Sequence, residues 1–302
     1  RLSLLPATDY QMVMPRIASN SRMIYAKMQD DVNLWSYTVE TGESKAWRST
    51  SELDINPSHS PEGDRVAFTT NRSGAFQLWT SHTDGSEARA ISDFQGEYIN
   101  TPRWSPDGKS IIFQGYMNGQ ADIYKINALG GIAENLSRSD FEEHTPVYAP
   151  DGISIYYSSN RSGDWQIWQM NLADASRKQI TTHGGYAPQP SNSGKYIFYV
   201  KKDQPGIWRF DLDRATESLE LEGFDQKQYG AFAVADRGIF FLNTASRTLD
   251  YHSFDKTDQV SLTPVRRIPR MGITLSYNKA DSSLLFSQVD HSDADIMMLV
   301  KQ

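Results

Sequence analysis

One unit of about 43 residues is written several times along this chain, and that repetition constrains the fold more than any other feature. Three stretches align by eye: NPSHSPEGDRVAFTTNRSGAFQLW from Asn56 to Trp79, TPRWSPDGKSIIFQGYMNGQADIY from Thr101 to Tyr124, and TPVYAPDGISIYYSSNRSGDWQIW from Thr145 to Trp168. A weaker copy runs from Ala187 to Trp208. The anchor prolines Pro57, Pro102, Pro146 and Pro188 are 45, 44 and 42 residues apart. One period back from Pro57 lies Pro15; one and two periods beyond Pro188 lie Phe232 and the neighbourhood of Ile273. The spacing therefore predicts seven copies.

Each copy reads as β structure. VAFTT, SIIFQG, ISIYYSS and YIFYV are rich in β-branched and aromatic residues. SPDG, APDG and NRSG place Pro, Asp and Gly where tight turns need them. No stretch has sustained helical periodicity with caps. Four short antiparallel strands per 40–45 residues mark a propeller blade, and one blade cannot cover both its sheet faces alone. The expectation is a single all-β domain, residues 1–302. It is a seven-bladed β-propeller with blades near 15–49, 57–92, 102–137, 146–181, 188–221, 231–263 and 273–300 plus 1–3. The last copy stops after its third strand, and Arg1-Leu2-Ser3 resembles the fourth-strand endings NLS and SLT. The N-terminal strand is thus expected to complete the last blade and close the ring, which also protects open edges.

Composition removes several functions. With 30 basic and 37 acidic residues the formal charge is −7, so direct nucleic-acid contact by this segment is not expected. No cysteine is present, which excludes disulfides, CxxC redox sites and cysteine zinc clusters. No apolar run approaches the roughly 18 residues of a membrane span. The chain starts at Arg1 rather than Met, and it is expected to be a fragment or a processed product.

Residues that recur once per copy are expected to pack. Trp35, Trp79, Trp168 and Trp208 share one slot, and Asp107, Gly108, Asp151 and Gly152 are turn residues. Function is expected where copies differ, on the rim carrying the loops into each first strand and the loops between second and third strands. The candidate ligand-binding residues there are Arg16, Arg72, Glu97, Tyr98, Glu143, His144, Arg161, His183, Tyr186 and Arg270. Arg16, Arg72, Arg161 and Arg270 would suit a carboxylate or phosphate. His144 and His183, with Glu142 or Glu143, could be a metal site or two solvated loop histidines; the reading adopted is no metal and no cofactor. No GxSxG and no phosphate loop occur, so no catalytic residue is assigned and an enzyme is not expected.

The motif PxWSPDGKxIxF followed by SNRSGxxxIW resembles the TolB-type β-propeller repeat, clearest in the second to fourth copies. The second half, from QITTHGGYAPQP to DADIMMLV at Asp293–Val300, is similar to the extracytoplasmic C-terminal sensor half of ToxR/CadC-like winged-helix regulators. That resemblance implies a non-catalytic periplasmic domain of an inner-membrane protein, anchored upstream of Arg1. It would bind a small-molecule or protein ligand at the channel mouth, and a homodimer is allowed. The alternative is a stand-alone, soluble TolB-like periplasmic interaction scaffold. An oligogalacturonate-lyase-like metal enzyme is a more remote alternative, because it needs a histidine cluster that this chain does not display.

Overall fold

A computed structural model describes residues 11–18, 22–48, 50, 52–255, 259–269 and 274–300. The strands form six sheets arranged as a propeller, not seven. Blade 1 comprises Asp54–His59, Arg65–Thr70, Gln77–His82 and Arg89–Ala90. Blade 2 comprises Tyr98–Trp104, Ser110–Met117, Gln120–Asn127 and Glu134–Asn135. Blade 3 comprises Glu143–Tyr148, Ser154–Ser162, Asp164–Asn171 and Arg177–Gln179. Blade 4 comprises Tyr186–Pro190, Tyr196–Lys201, Gln204–Asp211 and Thr216–Leu221. Blade 5 comprises Phe232–Ala235, Gly238–Asn243, Thr248–Ser253 and Gln259–Pro264.

The sixth blade corrects the predicted count. Its strands, from the channel outward, are Leu275–Asn278, Ser283–Val300, Arg22–Thr38 and Glu43–Arg48. The stretches expected to be blade one and blade seven are therefore two halves of one sheet. Arg22–Thr38 and Ser283–Val300 pair along their whole length, from Arg22 opposite Val300 to Thr38 opposite Ser283. A register shift between Asp31 and Val32 divides the blade portion from an extension. On the extension, Gln11–Ala18 adds a third strand. The N-terminal chain does close the ring, but through two strands of this shared blade; residues 1–3, expected to do so, lie outside the described residues. The physical source of the miscount is strand length. A stretch of 17 or 18 residues is long enough for two blade strands, and here it runs as one continuous strand.

Neighbouring blades bury each other's faces, which is why second strands read as nearly unbroken apolar runs. Along Ser110–Met117 the direction alternates. Ile111 and Phe113 pack with Ala67 and Leu78 of blade 1, and Ile112 packs with Tyr148 and Tyr157 of blade 3. Closure uses the same contact: Leu34 and Leu285 of the sixth blade pack on Val66 and Phe68 of blade 1. Each such side chain, fully buried, contributes on the order of 2 kcal/mol. Asn278 Nδ2 also donates to the Gly63 carbonyl at 3.1 Å across this seam. Among the described residues no helix is long and apolar enough to cross a membrane.

The anchor prolines have a structural reason. Asn56, Thr101, Thr145 and Ala187, each just before its proline, have φ between 47° and 56°. The register of each first strand slips at that point. A bulge of this kind bends the innermost strand where it lines the channel, and a proline there withholds no needed ladder bond.

Candidate functional site

The upper rim, named here for the loops entering each first strand and joining second to third strands, carries a belt of rings. Phe76 meets Tyr98 at 5.1 Å between ring centroids, Tyr98 meets Tyr116 at 6.3 Å, and Tyr116 meets His144 at 5.9 Å. His144 lies 4.6 Å from Trp165, Trp165 5.1 Å from Tyr186, and Tyr186 4.9 Å from Tyr229. The belt thus runs through blades 1 to 4 to the entry of blade 5. Tyr229 is also near enough to Tyr98, Tyr116 and Tyr186 to raise their hydroxyls electrostatically. The four phenols therefore gather at the upper mouth as a plug of rings. Burial pushes all four hydroxyls to more basic values than an ordinary tyrosine. Below them the channel narrows to a cavity of about 20 Å³ lined by Thr101, Thr145, Ala187 and Tyr229, room for a single water.

His144 is the hub of this plug. Its Nδ1 lies 2.6 Å from the Tyr186 hydroxyl, and its Nε2 lies 3.1 Å from Glu142 Oε2 and 3.2 Å from the Tyr116 hydroxyl. A carboxylate only accepts, so Nε2 carries the proton and Nδ1 accepts from Tyr186. Burial pulls the imidazole down to about 4 despite Glu142, so the ring is neutral near pH 7. Lys202 lies over this cluster, its Nζ 3.9 Å from the Trp165 ring and 4.3 Å from the Tyr186 ring. Partial burial lowers its ammonium to about 8. The outer surface of the plug therefore offers an aromatic floor, a cation and the edge of a carboxylate.

The arginines of NRSG have a different setting. Arg72 Nη2 lies 2.5 Å from Asp54 Oδ1, with its guanidinium 4.7 Å from the Trp79 ring. Arg161 Nη2 lies 2.5 Å from Glu143 Oε1, with its guanidinium 5.1 Å from the Trp168 ring. In blade 4, Lys201 repeats the device, 2.9 Å from Glu217 and 3.8 Å from the Trp208 ring. Asp54 and Glu143 are fully buried. A cation held between a buried carboxylate and an indole locks the top of a blade. In blade 1 it also ties blades together, because Arg48 of the sixth blade approaches Asp54 at 3.6 Å.

Of the predicted site residues, Tyr98, His144 and Tyr186 come together in the plug, while Arg72, Glu143 and Arg161 stand in the blade clamps. Glu97 accepts from the Gly119 amide at 3.1 Å on the rim beside them. His183 is exposed, 3.9 Å from Glu217. The side chain of Arg16 and all of Arg270 lie outside the described residues. Among the described residues, no three His, Asp or Glu side chains converge as a metal-ligand set. Sequence reasoning missed Trp165 and Phe76. Both occupy the same slot, directly after the NRSG-x turn, and differ from the recurring third-strand tryptophan only in standing at the rim.

Six four-stranded blades in a closed ring, with aromatic side chains gathered on one rim, define an all-β propeller. The family model described as the TolB β-propeller domain (PD40) matches residues 88–249, just over half of the chain. The chain belongs to that family. Its fold is similar to that of a putative TolB from Agrobacterium tumefaciens, with a TM-score of 0.71, 16% identity, and coverage of 87% of this chain and 99% of that one. It is also similar to TolB from Acinetobacter baumannii, with a TM-score of 0.62, 15% identity, and coverage of 90% and 67%. In sequence it is 40% identical over 81 residues to an uncharacterised peptidase, YuxL, of Bacillus subtilis (strain 168). That match takes in 26% of this chain and spans 12% of the peptidase's length. The likeness to regulator sensor halves gains no support from these comparisons.

Proposed function

We propose that this chain is a non-catalytic binding scaffold of TolB type, whose upper mouth receives a segment of a protein partner. The observation that carries this reading is the continuous ring belt from Phe76 to Tyr229, floored by the tyrosine plug. Aromatic side chains with polar tips supply large contact area at little entropic cost, and such residues dominate binding hot spots. Lys202 and Glu142 would add charge selectivity at the edge. Among the described residues the neutral His144 has only tyrosines and Glu142 as hydrogen-bonding neighbours, an arrangement suited to holding the plug rather than activating a nucleophile. A periplasmic location is part of the same proposal.

Selection of a phage-displayed peptide library on the purified protein tests it. The proposal expects enriched peptides whose affinity falls at least tenfold on Trp165→Ala and on Tyr98→Ala. Peptides that bind both variants as well as the parent would count against it. A second reading is favoured by the peptidase relative: the same propeller as one part of a longer peptidase. Peptide hydrolysis by the full-length gene product would support that reading, and a full-length product that binds peptides and leaves them intact would not. The regulator reading keeps the same binding surface and differs in what the gene encodes before Arg1.

A further inference from the structure

The opposite mouth of the channel is open. A funnel of about 430 Å³ lies there, a volume within the usual range of ligand pockets, and every blade contributes to its wall. Its wall is about half apolar, with Pro61, Trp104, Pro106, Tyr148, Pro150 and Tyr277 prominent among polar neighbours. Arg103 stands at its floor, lining both the funnel and the small cavity above it. At the equivalent slot, directly after the anchor proline, blades 1, 3 and 4 have Ser58, Val147 and Gln189.

Arg103 is charged and half-buried. Among the described residues its guanidinium has one hydrogen bond, from Nη1 to the Pro102 carbonyl at 3.0 Å, and no carboxylate at ion-pairing distance. This contrasts with Arg72 and Arg161, each bonded to a buried carboxylate. Other charges near the funnel do not compensate it. Lys279 and Asp236 pair with each other at 2.7 Å near the rim. His59 is bonded to the Ser276 hydroxyl at 2.9 Å, and burial lowers its imidazole to about 4, so it is neutral. Enclosure pulls Arg103 itself down to about 10, still a cation near neutrality. A half-buried cation without a counter-charge still loses part of its hydration, and guanidinium is shaped to take a carboxylate by two parallel hydrogen bonds.

We propose that the lower funnel binds a carboxylate carried on an apolar body, with Arg103 taking the carboxylate at the floor and the proline and aromatic wall enclosing the body. This site is on the face opposite the plug and does not depend on the function proposed for it. The carboxylate could belong to a small organic acid or to the C-terminus of an apolar peptide; the chemistry at Arg103 is the same.

Calorimetric titration tests it with four probes: 4-phenylbutyrate, its primary amide, the dipeptide Leu-Phe and Leu-Phe amide. Trp104 fluorescence gives a second readout within the wall. At least one free acid should bind, with its amide at least tenfold weaker, and affinity should fall as salt rises. Arg103→Gln should lose at least tenfold for the acid while its apo melting temperature stays equal to or above the parent's. Arg103→Lys should retain part of the affinity. Phenylbutyrate binding alone identifies the small-acid source, and Leu-Phe binding alone the peptide source. The proposal is overturned if neither acid binds at millimolar concentration, if acid and amide bind alike, or if Arg103→Gln binds the acid unchanged. A large drop in apo stability for both variants would assign Arg103 to the fold instead and overturn it too.

Discussion

Replacing Arg161 with Met should cost about 3 kcal/mol at pH 7 and much less at pH 5. Glu143 is fully buried, and Arg161 is its main partner at 2.5 Å. What remains is the Ser159 hydroxyl at 3.3 Å from Oε1 and the Ser139 hydroxyl nearby, while Oε2 accepts no hydrogen bond among the described residues. A carboxylate so stranded escapes by taking a proton. From an ordinary value of 4.5, protonation at pH 7 costs about 3.4 kcal/mol, which caps the electrostatic loss. Even with Arg161 present, burial keeps Glu143 above its usual range. Part of that cost is therefore already in the parent, while the lost contact with Trp168 adds on the order of 1 kcal/mol. The sign follows from linkage. In the variant the folded-state value is raised further above the unfolded one. The penalty therefore grows as pH rises past about 4.5 and shrinks to about 1 kcal/mol near pH 5. Urea titrations at both pH values measure it, and the melting temperature at pH 7 should fall by roughly 6 °C. Glu143→Gln combined with Arg161→Met should recover most of the loss. A single-variant loss below 1 kcal/mol at pH 7, or equal losses at pH 5 and pH 7, would refute the clamp.

Other outcomes follow from the same geometry. His59 and His144 should titrate near 4 by NMR rather than near 6.5; their contribution to stability is present above pH 6.5 and is lost as pH falls toward 4. Midpoints near 6.5 would show that neither ring is shielded as described. Lys202, lowered to about 8, should be acetylated at pH 8 well ahead of exposed lysines such as Lys109, as read by mass spectrometry. Gly115→Ala should destabilise by about 1–3 kcal/mol, because an added Cβ would lie 2.7 Å from the Phe94 ring and 2.8 Å from Tyr124. A neutral effect in thermal melts would show that these rings can move aside.

Blade architecture was legible because each blade repeats one solution. The SPDG turn is an example: Ser105 Oγ donates to Asp107 at 2.6 Å, the Gly108 amide donates to the Ser105 carbonyl at 2.9 Å, and Gly108 has φ 67°. Serine, aspartate and glycine at those places admit little else. The number of blades was not legible from local pattern. Nothing between Arg22 and Thr38 says whether its partner lies nearby or near residue 290; only the ladder to Ser283–Val300 decides. The candidate site was legible as a rim but not as chemistry. Glu142 and Glu143 are adjacent and alternate in direction, so one reaches His144 and the other is sealed beneath Arg161. Pairing of that kind depends on the strand's facing, which a one-residue shift reverses. Arg103 gave no signal in sequence, because only the closed ring shows that its slot faces an open funnel.

The shared sixth blade is the claim on which both mouths depend, and a disulfide tests it most directly. The chain has no cysteine, so an introduced pair reports without interference. Thr38 and Ser283 are register partners, with the adjoining Val39 amide donating to the Ser282 carbonyl at 3.0 Å. Directly opposed residues of one sheet lie within the separation a disulfide tolerates, whereas residues of two adjacent blades do not. Thr38→Cys with Ser283→Cys should therefore oxidise spontaneously, giving a fast-migrating band on non-reducing gels and a raised melting temperature that reductant reverses. Two free thiols in the folded, air-oxidised protein would contradict a six-bladed ring closed by its own N-terminal strands.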